Sequence, residues 1–255
     1  MRAPLEKNVP PEAVSGIGQA YPDRVEVRGR DLAGDLMGRL SFTEYFHLLL
    51  TGEEPTKQQQ YFLDLLLVAI AEHGMMPTNV AARMTLAADP GSLQGAVAAG
   101  ILGCGPVILG ASEECARVLE EAYASGRKPT EVARQIRVSG GKVPGFGHPL
   151  HTPVDPRAER ILELADERGV SGAHLRFARD LRDAVAEVWG KPLVMNVSMP
   201  IAAVMLDLEF PASAVKAVPI LARTAGLLAH LAEEREHPIG LLLAASAEEA
   251  TAYER

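Results

Sequence analysis

The 255-residue sequence has little cysteine, no excess of basic residues and no long apolar run. Its two cysteines, Cys104 and Cys115, are too few for a disulfide framework and too far apart for a simple metal motif. We expect both to be small buried or half-buried thiols. The formal net charge of −8 disfavours a nucleic-acid partner. The apolar stretch 62–70 is too short to cross a membrane and contains Asp64.

The remaining composition is that of a globular protein. Hydrophobic residues make up 47% of the chain and charged residues 23%, which is typical of soluble domains. The N-terminal residues MRAPLEKNVPPEAV lack the apolar core of a signal sequence, so the expected location is the cytoplasm.

The periodicity is helical through most of the chain. Residues 1–22 predict an irregular arm, and 24–30 (RVEVRGR) a small strand pair. Leu32, Leu36 and Leu40 recur at helical spacing. Ser41 and Glu44 form a capping-box pattern before a helix that ends at Gly52. About ten helices follow from such patterns, and the predicted class is all-α. The further helices are predicted over 56–72, 79–88, 94–102, 113–125, 130–139, 158–168, 173–189, 200–206, 212–232 and from 240 onward.

Two junctions, 102–110 (LGCGPVILG) and 139–151 (SGGKVPGFGHPLH), contain more glycine than a simple turn needs. The SGGK tetrapeptide lacks the spacing of a phosphate-binding P-loop. His148 and His151 are three positions apart, but no strand or helix pattern directs both toward one ion. We therefore predict no metal.

Five segments, in order, resemble motifs of the citrate synthase superfamily. They are SFTEYFHLLLTGEEPT at 41–56, AEHG at 71–74, VPGFGH with DPRAERI within 143–161, NVS at 196–198 and LARTAGLLAHLAEE at 221–234. The AEHG segment and the short chain resemble the citryl-CoA lyase branch and the lyase module of ATP citrate lyase. The resemblance implies a helical homodimer. It also implies a large domain (1–110 and 200–255) into which a small domain (111–199) is inserted.

The family forms or breaks a carbon–carbon bond between an acyl-CoA and a keto acid. Such chemistry needs cations for carboxylates, a donor for the carbonyl oxygen and an acid for the enolate carbon. By the resemblance, Arg157 and Arg223 bind carboxylates, for which the planar guanidinium is well suited. His148 and His73 match the substrate-site histidines. Main-chain groups of the coenzyme A loop correspond to Val143, Gly145 and Gly147. His151, His230 and His237 receive no catalytic role.

Two positions depart from the family pattern. Ile108 occupies the place of a synthase histidine and can neither donate a hydrogen bond nor carry a proton. Ser198 replaces the proton-transferring aspartate, and a serine hydroxyl does not ionise usefully without a nearby base. His73 can compensate for Ile108. Asp155, Glu113 and Asp207 are the candidates for an acid that replaces the aspartate. Alternatively, Ser198 orients a water or a different substrate group.

Three functions remain open. The first is a lyase that cleaves a citryl-CoA-type thioester into an acyl-CoA and a keto acid such as oxaloacetate, with catalytic His73, His148 and Ser198. The second is an enzyme of the same fold that acts on a different coenzyme A thioester. The third is a non-catalytic binding paralogue. Condensation of free acetyl-CoA with oxaloacetate is disfavoured, because the aspartate serves that step in the family.

Overall fold

A computed structural model describes residues 14–105, 108–109 and 111–254. The predicted N-terminal arm and the 102–110 junction therefore lie partly outside the described residues. The chain divides into two compact units, Met1–Gln60 and Tyr61–Arg255. The division into an inserted small domain and a large domain stays a prediction.

The first unit contains a small antiparallel sheet. Strands β2 (Val25–Val27) and β3 (Arg30–Asp31) confirm the predicted pair, and β1 (Gly18–Ala20) pairs with β2 from within the segment expected to be irregular. Residues Leu32–Leu36 form a π-helical turn instead of the start of an α-helix. The side chain of Asp31 fixes this turn by accepting a hydrogen bond from the Gly34 N–H at 2.6 Å. The turn directs its leucines into a core of Val27, Leu36 and Leu48.

Helix α1 (Phe42–Thr51) begins and ends where the sequence predicts. The Ser41 hydroxyl accepts from the Glu44 N–H at 3.2 Å, and the Glu44 carboxylate accepts from the Ser41 N–H at 2.8 Å. Gly52 ends the helix in the left-handed conformation with φ 88°, which glycine adopts without a Cβ clash.

Substituting Ser41 by alanine removes half of this capping box. We expect the free energy of unfolding to fall by about 1 kcal/mol, measured by urea denaturation. Ser246→Ala, at an exposed helical position, is the matched control and is expected to change stability by less than about 0.5 kcal/mol. Equal losses in both variants would contradict the assigned cap.

In the second unit the structure describes eleven helices, of which α2 starts before the unit boundary. They follow the predicted order, with most ends within two residues, but they are eleven where the sequence predicts ten. One difference is that the predicted helix 212–232 is two helices. The eleven helices are α2 (Lys57–Ala71), α3 (Pro77–Ala88), α4 (Leu93–Leu102), α5 (Ala111–Ser125), α6 (Pro129–Val138), α7 (Pro156–Glu167), α8 (Ala173–Trp189), α9 (Ser198–Asp207), α10 (Ala212–Val215), α11 (Ala217–Glu236) and α12 (Gly240–Glu249).

Helix α9 is at the centre of one helix cluster. Every residue from Ser198 to Leu206 is buried, and the helix packs against α5, α7, α8 and α10. A helix that is apolar on all sides is stable only when surrounded by protein or lipid. Its surroundings here are other helices, so its first residues are held in a fixed place.

Helix α11 packs against α3 and α4 in a second cluster that includes Leu86, Leu227 and Leu231. The segment Ala212–Glu236 has the length and apolar composition to span a membrane. However, it also carries the buried Arg223 and Glu234, and Glu234 accepts a hydrogen bond from the buried Arg83 at 2.9 Å. These contacts are those of a core helix in a globular protein, which passes the same length and composition test.

Candidate functional site

One cavity of the second unit, of about 600 Å³, brings together six of the eight site residues selected from the sequence. They come from four separate stretches of the chain, and Asn196 lies beside them. The polar wall consists of His73, His148, Arg157, Asn196, Ser198 and Arg223. The rest of the described lining is mostly apolar and includes Ile70, Met76, Ile108, Leu109 and Leu150.

The glycine-rich loop that carries His148 is attached to the segment before α9. Phe146 and Met195 form an isolated antiparallel bridge. The Gly147 N–H donates to the Val194 carbonyl at 2.7 Å, and the Asn196 amide donates to the Gly147 carbonyl at 2.9 Å. These bonds place His148 beside the start of α9, where Ser198 also lines the cavity.

Asp155 joins α7 to the start of α9 and orients Arg157. Its carboxylate is fully buried and accepts from Arg157 Nε at 3.0 Å and Nη2 at 2.8 Å. It also accepts from the Val197 N–H at 3.1 Å. Burial by itself would raise the pKa of Asp155, but the hydrogen bonds and charge of Arg157 outweigh it and lower that pKa. Asp155 is therefore a fixed carboxylate and cannot supply a proton near neutral pH.

The part of the cavity lined by His73 and Arg223 depends on a close approach between α2 and α11. A Cβ at Gly226 would lie 2.1 Å from the Ala71 carbonyl oxygen, so only glycine permits this contact. The contact holds the AEHG segment against the helix that carries Arg223. His73 and Arg223 thus reach one cavity from segments about 150 residues apart.

Arg223 has an unused hydrogen-bond donor. Its side chain is 2% exposed, and its Nη atoms donate to Asn79 Oδ1 at 3.2 Å and to the Ile70 carbonyl at 3.3 Å. Its Nε is buried and has no acceptor among the described residues. Buried N–H groups nearly always have a partner, and this one belongs to a residue that lines a cavity. The Nε atom itself is covered, so what Arg223 offers to the cavity is its positive charge, which favours an anionic ligand there.

The hydrogen bonds of His148 define its tautomer. Its Nδ1 accepts from the main-chain N–H groups of Leu150 at 3.1 Å and His151 at 2.9 Å. The neutral ring therefore carries its hydrogen on Nε2. That nitrogen lies 3.4 Å from Arg157 Nη2, which is also a donor. Two donors side by side at a cavity form a site for one shared acceptor, such as a carbonyl or carboxylate oxygen.

Both cavity histidines are neutral near pH 7. Burial lowers the pKa of His73, and Arg157, His148 and His151 lower it further, against a smaller opposing effect of Asp155. Burial and the neighbouring His151 and Arg157 likewise lower the pKa of His148. The two arginines are therefore the cations of the cavity wall.

His151 is the residue that the sequence patterns missed. Its Nε2 is 3.1 Å from Nε2 of His73, and its ring stacks on His148 with centroids 4.2 Å apart. The expectation that His148 and His151 would not be directed toward one point was wrong, because the loop turns between them. Two histidines within three residues were the available signal, but their convergence with His73 depends on a segment 75 residues earlier.

Nitrogen atoms of these three histidines lie within 4.8 Å of one another, close enough for a shared ion. The tautomer of His148 does not fit a ligand role. A metal-binding imidazole normally donates its other N–H to a second group, whereas His148 Nδ1 already accepts two main-chain hydrogens. The Arg157 guanidinium at 3.4 Å also repels a cation. The three histidines therefore do not fit a metal site.

The remaining predicted residues have different surroundings. Glu113 pairs with Lys216 at 2.9 Å, and Asp207 accepts from the first N–H groups of α8. With Asp155 paired to Arg157, none of the three lines the cavity. No carboxylate is found among the described lining residues. Among the described lining residues, the groups that can exchange a proton near neutral pH are the imidazoles of His73 and His148.

Of the three positions assigned to coenzyme A, only Gly147 lines the cavity. Gly145 has φ +76°, and a Cβ there would lie 2.8 Å from Cys115 Sγ and from Met199 Cβ, so close packing within the protein requires this glycine. Val143 is buried. Cys104 is half-buried and Cys115 buried, both as free thiols.

The fold and this cavity define a helical protein that can hold an anionic ligand between two arginines and two histidines. A family model described as the C-terminal domain of citrate synthase matches residues 19–240, and the chain belongs to this family. The citrate synthase of Synechocystis is 31% identical over 202 residues, which are 77% of this chain and 50% of that protein. The chain thus spans about half the length of the curated citrate synthases it matches.

Solved structures of similar fold include proteins named as lyases. The citryl-CoA lyase of Hydrogenobacter thermophilus is 33% identical, with a TM-score of 0.81, over 88% of this chain and 87% of that one. The ATP citrate lyase of Methanosaeta concilii, solved in complex with (3S)-citryl-CoA, is 20% identical with a TM-score of 0.80. It covers 97% of this chain and 42% of its own, a likeness in fold alone.

Proposed function

We propose that the protein cleaves a citryl-CoA-type thioester into an acyl-CoA and a keto acid such as oxaloacetate. The observation that carries this proposal is the convergence of His73, His148, Arg157 and Arg223 on one cavity. The match to a citryl-CoA lyase over most of both chains supports it. The apolar part of the lining suits the pantetheine arm of coenzyme A, which is bound here as part of the thioester substrate.

The residues have separate roles in this reaction. Arg157 and Arg223 hold the carboxylates of the substrate, since a guanidinium can make two parallel bonds to a carboxylate. The Nε2–H of His148 and the adjacent Arg157 donate to the oxygen that becomes the keto oxygen, and they stabilise its negative charge as the carbon–carbon bond breaks. Ser198 contributes a hydroxyl at the start of α9 and no titratable proton. Cleavage is favoured over condensation of free substrates, because no described lining residue is a carboxylate that could remove an α-proton.

The test is incubation of the purified protein with (3S)-citryl-CoA and detection of oxaloacetate by a coupled malate dehydrogenase assay. We expect oxaloacetate and acetyl-CoA in equal amounts, and no product from citrate with free coenzyme A. Absence of cleavage across a panel of 3-hydroxy-3-carboxyacyl-CoA thioesters, with binding still detectable, would overturn the proposal. Binding without turnover would favour a non-catalytic paralogue, to which Ile108 and Ser198 already give some support.

Ser198→Asp distinguishes citryl-CoA from a different thioester substrate. If the native site already handles citryl-CoA through its histidines, the added carboxylate is expected to leave cleavage unchanged or reduce it. A gain in citryl-CoA cleavage would indicate that the native site is adapted to another thioester. The same assay, run in parallel on the native protein and on Ser198→Asp, distinguishes citryl-CoA from another thioester as the native substrate.

The homodimer and the cytoplasmic location implied by the sequence stay proposals. Light scattering after size-exclusion chromatography would measure the assembly directly, and a mass of about twice 27.2 kDa is the expected result.

A further inference from the structure

Residue 151 touches both cavity histidines, through different groups. Its main-chain N–H donates to His148 Nδ1 at 2.9 Å, a contact that any non-proline residue would supply. Its side chain reaches His73, with 3.1 Å between the two Nε2 atoms, and only a side chain with a hydrogen-bonding atom at that position can do this. The ring of His151 also stacks on His148, so a substitution that keeps an aromatic ring at 151 removes the contact with His73 and keeps both contacts with His148.

The Nε2–Nε2 contact restricts the protonation of His73. Of two facing imidazole nitrogens, one must carry the hydrogen and the other must accept it. Within the described chain, Nε2 is the only atom of the His73 ring that makes a hydrogen bond. Nδ1 is therefore the nitrogen available to a ligand, and its protonation state follows from that of the His151 partner. His151 itself is half-buried and does not line the cavity.

We propose that His151 is a positioning residue for His73, and that this imidazole pair carries the proton for which other members of the family use an aspartate. The inference rests on the proposed cleavage. It answers the difficulty that Ser198 raises, because none of the three carboxylates available by sequence lines the cavity, and Asp155 is held by Arg157. The pair also places a second imidazole that can exchange a proton next to His73, the ring that lines the cavity.

The proton balance of the step is complete. The carbon–carbon bond of the substrate breaks with its electron pair on the α-carbon of the acyl group. The hydroxyl O–H electrons form the new carbonyl bond, and the hydroxyl proton passes to Nδ1 of His73. One proton then returns from the imidazole pair to the α-carbon. No oxidant, reductant or net proton is required.

The groups that face His73 give a pH dependence with a defined sign. They are the rings of His148 and His151, the guanidinium of Arg157 and the carboxylate of Asp155, and Glu72 accepts from its main-chain N–H. Charge repulsion from the neighbouring His151 is one of the causes that lower the pKa of His73, after burial, Arg157 and His148. A neutral side chain at 151 removes this repulsion, so the pKa of His73 rises.

The test compares the full-length protein with His151→Phe, which keeps ring shape and the main-chain N–H, and with His151→Gln, which keeps a hydrogen-bonding atom. His237→Gln, at an exposed position, is the matched control. We expect kcat for citryl-CoA to fall about 100-fold in His151→Phe and less in His151→Gln, with KM little changed. The acid limb of the pH–rate profile is expected to move to higher pH in both variants.

A second measurement does not depend on turnover. In the ligand-free protein, ¹H–¹⁵N NMR of the imidazole rings follows the titration of His73, whose pKa is lowered by burial and by its neighbours. In His151→Phe, His73 is expected to titrate in one step at higher pH. Unchanged titration of His73, or unchanged kcat despite altered titration, would overturn the inference and leave the proposed cleavage intact. A change in the His73 titration after treatment with EDTA would also overturn it, since an ion would then join the rings.

If wild-type protein cleaves no thioester in the panel, the proposed function fails. The NMR titration then tests by itself whether His73 and His151 share a proton. Thermal melting of each variant, compared with His237→Gln, identifies any variant whose lower activity reflects unfolding.

Discussion

Replacing Arg223 with leucine is expected to weaken the binding of citrate and of oxaloacetate by about 30-fold to about 5000-fold, the 2–5 kcal/mol typical of a lost buried charge pair. The reason is that this guanidinium is buried in the cavity wall, and its partners there are the neutral oxygens of Asn79 and Ile70. A carboxylate in the cavity complements its charge, and leucine can replace neither the charge nor the donors. Isothermal titration calorimetry with each acid measures the loss.

Arg223→Lys refines this experiment. Lysine keeps the charge but not the planar set of donors, so we expect an intermediate affinity. Arg160→Leu, at an exposed arginine of α7, is the matched control and is expected to bind like the native protein. Because Arg223 also donates to Asn79 and Ile70, each variant is checked by thermal melting. Native affinity in a folded Arg223→Leu protein would exclude this cavity as the carboxylate site.

Asp155→Ala is expected to lower the free energy of unfolding by about 3–5 kcal/mol at pH 7. The substitution leaves Arg157 without its buried partner and the Val197 N–H without its acceptor. It therefore loosens both α7 and the start of α9, and the position of Ser198 changes with them. Urea denaturation at pH 7 measures the stability.

The contribution of Asp155 also has a definite pH dependence. Its pKa is lowered in the folded state, so its stabilisation is present above the unfolded pKa of about 4. As pH falls through the lower folded value, the carboxylate is protonated and the stabilisation is lost. The difference between native protein and Asp155→Ala is therefore expected to narrow below about pH 4.

Asp166 provides the matched control. It pairs with Arg179 at 2.7 Å, but its side chain is 56% exposed, whereas that of Asp155 is fully buried. Exposed pairs contribute at most about 1 kcal/mol, so Asp166→Ala is expected to change stability little. If both alanine variants lost the same stability, burial of Asp155 would not be the cause.

Much of the fold could be predicted from local patterns. The Ser41 capping box, the Gly52 terminus and the range of α8 follow from neighbouring residues, and the structure confirms them. The π-helical turn at Leu32–Leu36 could not be predicted, because leucines at helical spacing fit an α-helix equally well. Its geometry depends on the Asp31 side chain and on packing against Val27 and Leu48.

Part of the candidate site could likewise be predicted from the sequence, and part of it could not. The sequence identified His73, His148, Arg157, Arg223 and Ser198, because their motifs stand in the order of a known family, and all five line one cavity. It also identified the absence of the aspartate. It could not show that Asp155 is committed to Arg157 or that His151 reaches His73, since both facts depend on how distant segments pack.

The amino-acid sequence by itself determined the helical class, the family and the types of side chain that reach the cavity. Only the tertiary structure decided which of those side chains are already paired and which retain a free donor. The physical reason is that periodicity and caps depend on residues within a few positions of one another. Burial, tautomer and charge pairing instead depend on residues brought together from up to about 150 positions apart.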